Sequence, residues 1–221
     1  MPGFQVKTEI FEVGGASTSV RSLLDRQQFA DPLGEAQRLG ISSASWPLFG
    51  LVWPSALVLA AHMAQAPLGQ RRVLEVGCGL ALASLVVHRR HGLVTASDRH
   101  PLAEAFLLEN LRLNAMAPLP YRHADWAVVN PLLGRFDLIV GSDVLYERGQ
   151  ADELCAFIER HAQASAEVVI ADPDRGNRAA FNRGMQGLGF ARSERVVREL
   201  PGSGLPYKGR LLSYVRVASL A

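Results

Sequence analysis

Carboxylate side chains occur at or just after four successive apolar segments that are predicted as strands. They are Glu75, Asp98, Asp125 and Asp143. In an open sheet of parallel strands, ligands bind outside the carboxyl ends of the strands. A single aspartate at such a position is usually a turn residue or a helix cap. Four in succession predict a negatively charged site along one edge of the sheet, which suits a cationic ligand.

A glycine-containing segment connects the first of these strands to a helix. Gly77 and Gly79 are two residues apart, a spacing that lets the backbone pass close to a ligand. Asp98 follows Gly77 by 21 residues, close to the interval of about 20 at which an acidic residue binds ribose hydroxyls. The combination predicts a cofactor that contains a nucleoside.

Two cofactors fit that description, a nicotinamide dinucleotide and S-adenosylmethionine. The dinucleotide fingerprint has a third glycine three positions after the second, where this chain has Leu82. The carboxylates would repel a pyrophosphate, whereas they attract the sulfonium and ammonium of S-adenosylmethionine by about 1 to 4 kcal/mol per contact pair. Trp126 could stack on adenine, worth about 1 to 3 kcal/mol by analogy with base stacking. These arguments favour S-adenosylmethionine.

Strands alternate with helices along the chain, which is typical of a mostly parallel sheet covered on both faces. The predicted helices cover residues 54–63, 81–90, 101–114, 150–163 and 177–188. Two short strands, 4–13 and 18–24, come first, and seven follow at 73–76, 93–97, 119–123, 136–140, 167–171, 191–200 and 210–218. We therefore expect an α/β fold, a Rossmann-like sheet of seven mostly parallel strands that ends in an antiparallel edge hairpin.

Composition limits the other possibilities. With 221 residues, 48% of them apolar, the chain is long enough for a single core, which we divide into an N-terminal extension or lid (1–52) and a core (53–221). A net charge of +2 does not indicate a nucleic-acid or membrane binder. Two cysteines and a first segment without an apolar signal region predict a cytoplasmic protein.

On these motifs the sequence resembles the class I, seven-strand S-adenosylmethionine-dependent methyltransferases. The resemblance covers residues 46–175. Trp53, the Asp125-Trp126 pair and Asp143-x-x-Tyr146 further resemble the protein-lysine methyltransferases that act on valosin-containing protein, calmodulin and an Hsp70-type chaperone. One departure is Ala81, which stands where the family has a third glycine. We expect a tighter loop there and no loss of cofactor binding.

The resemblance implies a role for each site residue. Gly77, Cys78 and Gly79 would lie against the methionine part of the cofactor, with Glu75 below the loop to orient the ammonium. Asp98 would accept the ribose hydroxyls, Asp125 would bind or shape the adenine pocket, Trp126 and Trp53 would flank the cofactor, and Ser142 would present backbone near the sulfonium.

Methyl transfer to a lysine needs an unprotonated, oriented amine. Asp143 and Tyr146 are three residues apart beyond a strand, so a turn would aim both at the transferred methyl. We expect one of them to hydrogen-bond the amine while the Tyr146 ring forms a wall of the channel. The predicted partner is a protein substrate.

Three alternatives remain open from the sequence. The acceptor could be a small-molecule amine, as in enzymes related to nicotinamide methylation, or the chain could bind S-adenosylmethionine without catalysis. Nucleic acid is disfavoured because residues 142–146 lack the prolines of enzymes that methylate nucleobase amines, and a set of arginines is interpreted as solvated surface: Arg175, Arg178, Arg183, Arg192, Arg195 and Arg198. His88 and His91 have no third ligand at metal spacing, so no metal site is predicted.

Overall fold

A seven-stranded sheet forms the centre of the computed structural model, which describes residues 3–147 and 149–218. A two-stranded hairpin, β1 (Val6–Val13) and β2 (Ala16–Leu23), precedes it. The strands of the large sheet are β3 (Arg72–Val76), β4 (Leu93–Asp98), β5 (Tyr121–His123), β6 (Phe136–Ser142), β7 (Ala162–Asp172), β8 (Ala191–Glu199) and β9 (Pro206–Arg216). The predicted segments 1–52 and 53–221 include residues 1, 2, 148 and 219–221, which lie outside the described residues.

The order of strands in the large sheet is β5-β4-β3-β6-β7-β9-β8. Strands β3 to β7 run parallel to one another. Strand β9 is antiparallel to both of its neighbours, β7 and β8. The fold class predicted from the sequence is confirmed, including the reversed strand pair at the edge. Chain order reverses between β3 and β6, so a ligand is expected outside the carboxyl ends of these two strands.

Helices cover both faces of the sheet. They are α1 (Glu35–Arg38), α2 (Pro54–Gln65), α3 (Leu82–Arg89), α4 (Ala103–Leu113), α5 (Gln150–His161) and α6 (Arg178–Gly187). Because successive side chains of a strand point to opposite faces, Leu138 and Val140 of β6 pack into one apolar cluster and Ile139 into another. The first cluster contains α2, α3 and α4, and the second contains α5 and α6.

Two strands begin earlier than the sequence predicts. β7 starts at Ala162, five residues before the expected start at 167, because Ala162 pairs with Phe136 ahead of a register shift in the ladder. β9 starts at Pro206 and not at Arg210, since Pro206 pairs with Glu199. Proline is tolerated as the first residue of a strand, and because β8 ends at Glu199 the loop between β8 and β9 covers residues 200–205 and not the expected 201–206.

The buried face of α4 does not coincide with its apolar residues. Ala105 and Leu108 are exposed, whereas Leu107 and the polar Asn110 are buried. The Asn110 Oδ1 atom accepts a hydrogen bond of 2.7 Å from the Arg21 amide of β2. The interaction with the hairpin therefore helps to decide which face of α4 is buried. Apolar periodicity alone does not predict this interaction.

Two asparagines of the α4 region extend the edge of β2. Besides Asn110, the Asn114 side chain accepts from the Ser19 amide at 2.9 Å and donates to the Ser19 carbonyl at 2.7 Å. The amides thus act as a short substitute for a neighbouring strand and hold the hairpin on α4. The 3-10 helix Trp46–Gly50 follows, and its aromatic side chains connect the hairpin to the core.

No helix among the described residues has the length and apolar character needed to cross a bilayer.

The asparagine contact gives a stability prediction. Asn110→Ala leaves the Arg21 amide without its partner, so we expect the free energy of unfolding to fall by about 1 to 3 kcal/mol. Urea denaturation measures this loss. The control is Glu109→Ala, which removes an ion pair with Arg112 on the helix surface and should cost under about 1 kcal/mol. Equal losses in the two variants would contradict the role given to Asn110.

Candidate functional site

A cavity of about 430 Å³ opens at the carboxyl ends of β3, β4 and β6. Ten of the eleven residues predicted from the sequence line it: Trp53, Gly77, Cys78, Gly79, Asp98, Asp125, Trp126, Ser142, Asp143 and Tyr146. Its size is in the range of small-molecule sites. The structure thus brings the predicted residues together at the point where the strand order reverses.

The loop after β3 has an unusual backbone. Gly77, Gly79 and Ala81 have φ angles of +55°, +51° and +58°, in the left-handed region that favours glycine. A Cβ atom on Gly79 would lie 2.7 Å from the Phe49 carbonyl oxygen. Ala81 donates its amide to the Cys78 carbonyl at 2.7 Å, which closes the loop tightly. The left-handed backbone of Ala81 costs about 1 to 2 kcal/mol of strain, because alanine has a Cβ atom.

The Asp98 carboxylate joins this loop to the end of β4. Its Oδ2 accepts the Gly79 amide and its Oδ1 accepts the His100 amide, both at 2.8 Å. Burial raises the pKa of Asp98 and the two amide donors oppose that shift. A carboxylate has about four acceptor positions, so Asp98 keeps acceptor capacity for hydroxyl groups of a ligand in the cavity.

Glu75 is the predicted site residue that does not line the cavity. It is 2% exposed, and its Oε2 accepts the Ser84 amide at 2.7 Å and the Ser84 hydroxyl at 2.5 Å. Burial raises the pKa of Glu75 to about 7. It lies beneath the glycine loop, as expected, where it fixes the first turn of α3. A direct contact with a ligand ammonium stays a prediction.

Aromatic rings form two walls of the cavity. Trp53 is held by a 2.8 Å hydrogen bond from its Nε1 to the Leu48 carbonyl. Trp126 lies beside the glycine loop, where a Cβ atom on Gly77 would be 3.5 Å from its ring. Asp125 shapes the preceding turn, since its Oδ1 accepts the Ala127 amide at 2.9 Å. These positions agree with aromatic surfaces on either side of a bound nucleoside.

His100 is a cavity residue that the sequence analysis missed. Its ring stacks on Phe49 with centroids 3.7 Å apart, and its Nδ1 accepts the Leu102 amide. Burial lowers the pKa of His100 to about 3, so the ring is neutral. Its position two residues after Asp98 could have indicated that His100 lies at the cavity. Its contact with Phe49, about 50 residues away, is not visible in the sequence.

Asp143 forms an ion pair that the sequence analysis did not predict. Arg175 donates from Nε to Oδ1 and from Nη2 to Oδ2, both at 2.8 Å, a bidentate ion pair. Arg175 also lines the cavity, so this partly exposed arginine belongs to the site and not only to the solvated surface on which the sequence analysis placed it. The segment that follows β7 brings it there, because β6 and β7 are neighbours and end at the same edge.

The loop that carries Asp143 is fixed to the loop after β7. Asp143 has a φ of +53° and donates its amide to Ala171 at 2.8 Å. The side-chain Nδ2 of Asn177 donates hydrogen bonds to the backbone carbonyls of Leu145 and Glu147 at 3.0 and 2.9 Å. Tyr146 lies between these anchors, and burial raises the pKa of its hydroxyl, which stays protonated.

The cavity is less negative than the row of carboxylates suggests. Its acidic residues are Asp98, Asp125, Asp143 and Glu153, and its basic residues are Arg26, Arg99 and Arg175. The ion pair with Arg175 balances the charge of Asp143. The selectivity for a cation inferred from charge alone is correspondingly weaker, and the hydrogen-bonding geometry carries more of the argument. Among residues 3–147 and 149–218, no three His, Cys, Asp or Glu side chains are grouped to hold a metal ion.

Glu75 gives a pH prediction. Its pKa is about 7 in the folded chain against an ordinary value of 4.5, so between these values the folded state holds more protons and stability falls as pH rises. Glu75→Gln keeps an acceptor for Ser84 and removes this effect. Between pH 5 and 8 the variant should lose on the order of 3 kcal/mol less stability than the parent chain. Urea denaturation at the two pH values measures it, and identical losses would contradict the assignment.

Two glycines test the close approach in the loop. Gly69 has the same left-handed backbone as Gly79 (φ +52°), but a Cβ atom there meets nothing within 4 Å. Gly69→Ala should cost about 1 to 2 kcal/mol of unfolding free energy from strain alone. Gly79→Ala adds the clash with Phe49 and should cost at least about 1 kcal/mol more. Thermal or urea denaturation of both variants decides this, and an equal cost would show that the loop yields.

Comparisons with known proteins place the site in a family. A model described as "Lysine methyltransferase" matches residues 44–183. The electron transfer flavoprotein β subunit lysine methyltransferase of Xenopus laevis is 33% identical over 134 residues, 58% of this chain and 53% of the relative. A histone-arginine methyltransferase of the same organism is 35% identical over 126 residues, 51% of this chain and 53% of the relative.

The chain spans about half the length of these curated relatives. Among solved structures, the T. thermophilus 16S rRNA N2 G1207 methyltransferase, in complex with AdoMet and guanosine, has a TM-score of 0.64 at 15% identity and covers 96% of this chain and 51% of its own. That likeness concerns the fold. Because the family model covers residues 44–183, including the glycine loop, Asp98 and the Asp143 to Tyr146 turn, the chain belongs to the lysine methyltransferase family.

Proposed function

We propose that the chain transfers a methyl group from S-adenosylmethionine to the side-chain amine of a protein lysine. The observation that carries the proposal is the hydrogen-bonded connection between Gly79 and Asp98 in a cavity that also contains Asp143 and Tyr146. The first pair suits a nucleoside cofactor and the second suits an amine. Membership of the lysine methyltransferase family supports the same reaction.

The residues of the cavity fit this cofactor. Gly77 and Gly79 leave open a cradle that a side chain would fill, and Asp98 keeps acceptor positions for two ribose hydroxyls. Trp126 and Trp53 provide flat surfaces for the adenine and the adjoining groups, Asp125 shapes the adenine end and Ser142 presents backbone beside the transferred group. When bound, the cofactor supplies an electrophilic methyl group on a good leaving group.

The protein then has to orient the acceptor and exclude water. Asp143 accepts a hydrogen bond from the amine, and the Tyr146 ring forms the wall along which the lysine side chain enters. The Tyr146 hydroxyl remains protonated, and its oxygen accepts a second hydrogen bond from the amine, which leaves the nitrogen lone pair free to attack. Because the reaction needs little covalent assistance, we expect positioning to supply most of the rate enhancement.

The partner is proposed to be a protein, as it is for the relatives named above. Those relatives methylate different residue types, so the acceptor has to be found by experiment. A cytoplasmic location is also proposed, because Cys78 and Cys155 are both buried free thiols and such thiols persist in reducing compartments.

The proposal is tested by incubating the purified chain with methyl-labelled S-adenosylmethionine and a lysate of its host, and separating protein, nucleic acid and small molecules. Label is expected in protein, at lysine. Asp143→Ala and Tyr146→Phe should retain cofactor binding, measured by calorimetry, and lose label by about 100-fold. Asp152→Ala, an exposed carboxylate of α5 outside the cavity, serves as the matched control and should label like the parent chain.

Each other distribution of label has a meaning. Label only in small molecules would indicate a small-molecule N-methyltransferase, and label at arginine would change the acceptor. Cofactor binding without any labelled product would indicate a binding protein without catalysis. Full activity in both Asp143→Ala and Tyr146→Phe would remove these two residues from the mechanism.

A further inference from the structure

The ion pair between Asp143 and Arg175 is the feature of the cavity that the proposed reaction does not yet use. Both carboxylate oxygens accept hydrogen bonds of 2.8 Å from the guanidinium. The Asp143 side chain is 10% exposed and the Arg175 side chain 43% exposed, so the arginine approaches a nearly buried carboxylate from the open side of the cavity. Bidentate pairs of this kind are strong and directional.

The chain around Arg175 is built to hold it in this place. Its backbone amide donates to the Asp172 Oδ1 at 3.0 Å, which closes the turn after β7. Asp174, next in the turn, has a φ of +59° and pairs with Arg178 and Arg210. Left-handed backbone at a residue other than glycine costs energy and is often found at functional sites. The strain occurs here on both partner loops, at Asp143 and at Asp174.

A methyltransferase that accepts an amine needs it both oriented and neutral. A free lysine has a pKa of about 10.4. An unpaired carboxylate within about 4 to 6 Å would raise that pKa by about 1 to 3 units, because it stabilises the ammonium. A carboxylate already paired with a guanidinium has no net charge to add, yet its oxygens still accept a hydrogen bond from the amine. The ion pair therefore lets Asp143 orient the amine without stabilising its protonated form.

We propose that Arg175 is a positioning residue whose positive charge balances the negative charge of Asp143, so that Asp143 orients the acceptor amine in its neutral form. This inference rests on the proposed function. The amine releases its proton to water before it enters. Its nitrogen then forms the new bond to the methyl carbon while the carbon–sulfur bond of the sulfonium breaks. The sulfur leaves as a neutral thioether, and the alkylated ammonium later loses a proton to solvent.

Other charged or titratable groups surround the pair and bear on its pH dependence. They are Asp172 and Asp174 from the turn, Arg178 from α6, Tyr207 from β9, Tyr146 from the loop after β6, Glu153 from α5 and Arg99 from the loop after β4. Burial raises the pKa of Asp172 to about 6, so it is mostly ionised above pH 7. Between pH 7 and 10 the negative groups around Asp143 thus change little, and Arg175 is the cation paired directly with it.

The test compares Arg175→Gln with the parent chain in the labelling assay, using saturating labelled S-adenosylmethionine and host lysate as the acceptor source. Label in protein is measured from pH 7 to pH 10 and expressed as the ratio of variant to parent at each pH. Without the guanidinium the acceptor stays protonated at neutral pH. Because the acceptor pKa lies above about 10 in both proteins, the ratio should be about 0.1 or lower at pH 7.5 and stay low up to pH 10.

Two further variants separate charge from structure. Arg175→Lys keeps a cation beside Asp143, so its ratio should be at least about fivefold higher than that of Arg175→Gln at every pH. Arg183→Gln removes an exposed arginine of α6 outside the cavity, and its ratio should stay near 1 at every pH. Calorimetric titration with S-adenosylmethionine checks that each variant still binds the cofactor.

Three results would overturn the inference. Equally low ratios for Arg175→Gln and Arg175→Lys at every pH would assign Arg175 a purely structural role. A ratio above 1 at pH 7.5 would mean that the arginine merely blocks the site, and a ratio of 1 throughout would give it no role. If the parent chain labels no protein at any pH, the proposed function fails and this inference with it.

Discussion

The hydrogen bond from the Gly79 amide to the buried Asp98 carboxylate is the contact on which the geometry of the cavity depends. It holds the loop after β3 against the end of β4, and the second oxygen of Asp98 fixes the His100 backbone at the start of the next segment. Left-handed glycines make the approach possible, since a Cβ atom on Gly79 would meet the Phe49 carbonyl. The Asp98 carboxylate thus fixes both the loop after β3 and the segment after β4, and it still has acceptor capacity for a ligand.

The negative charge in the cavity is largely offset by basic residues. Glu75 is buried beneath the loop with a pKa raised to about 7, Asp143 is paired with Arg175, and Arg26 and Arg99 also line the space. A cationic cofactor would therefore be selected less by a general negative potential than by specific acceptors at fixed positions. Such acceptors are worth more inside a protein than in water, because the surroundings are less polarisable.

The sequence predicted a mostly parallel sheet of seven strands, the reversed edge pair and ten of the residues that line the cavity, because these follow from apolar periodicity and from residues at strand ends. It did not predict the Asp143 to Arg175 pair, the stacking of His100 on Phe49 or the buried Asn110, since each is a contact between distant segments. Arg175, for example, was assigned to solvent because its partner Asp143 lies 32 residues away along the chain. Single-sequence patterns contain no information on such pairs.

Direct titration of the purified chain with cofactors tests the central claim, that this strand edge holds the nucleoside of a sulfonium cofactor. Calorimetry with S-adenosylmethionine should show one site per chain, and NAD at the same concentrations should neither produce binding heat nor displace S-adenosylmethionine. Displacement by NAD, or the absence of S-adenosylmethionine binding to a folded chain, would contradict the account.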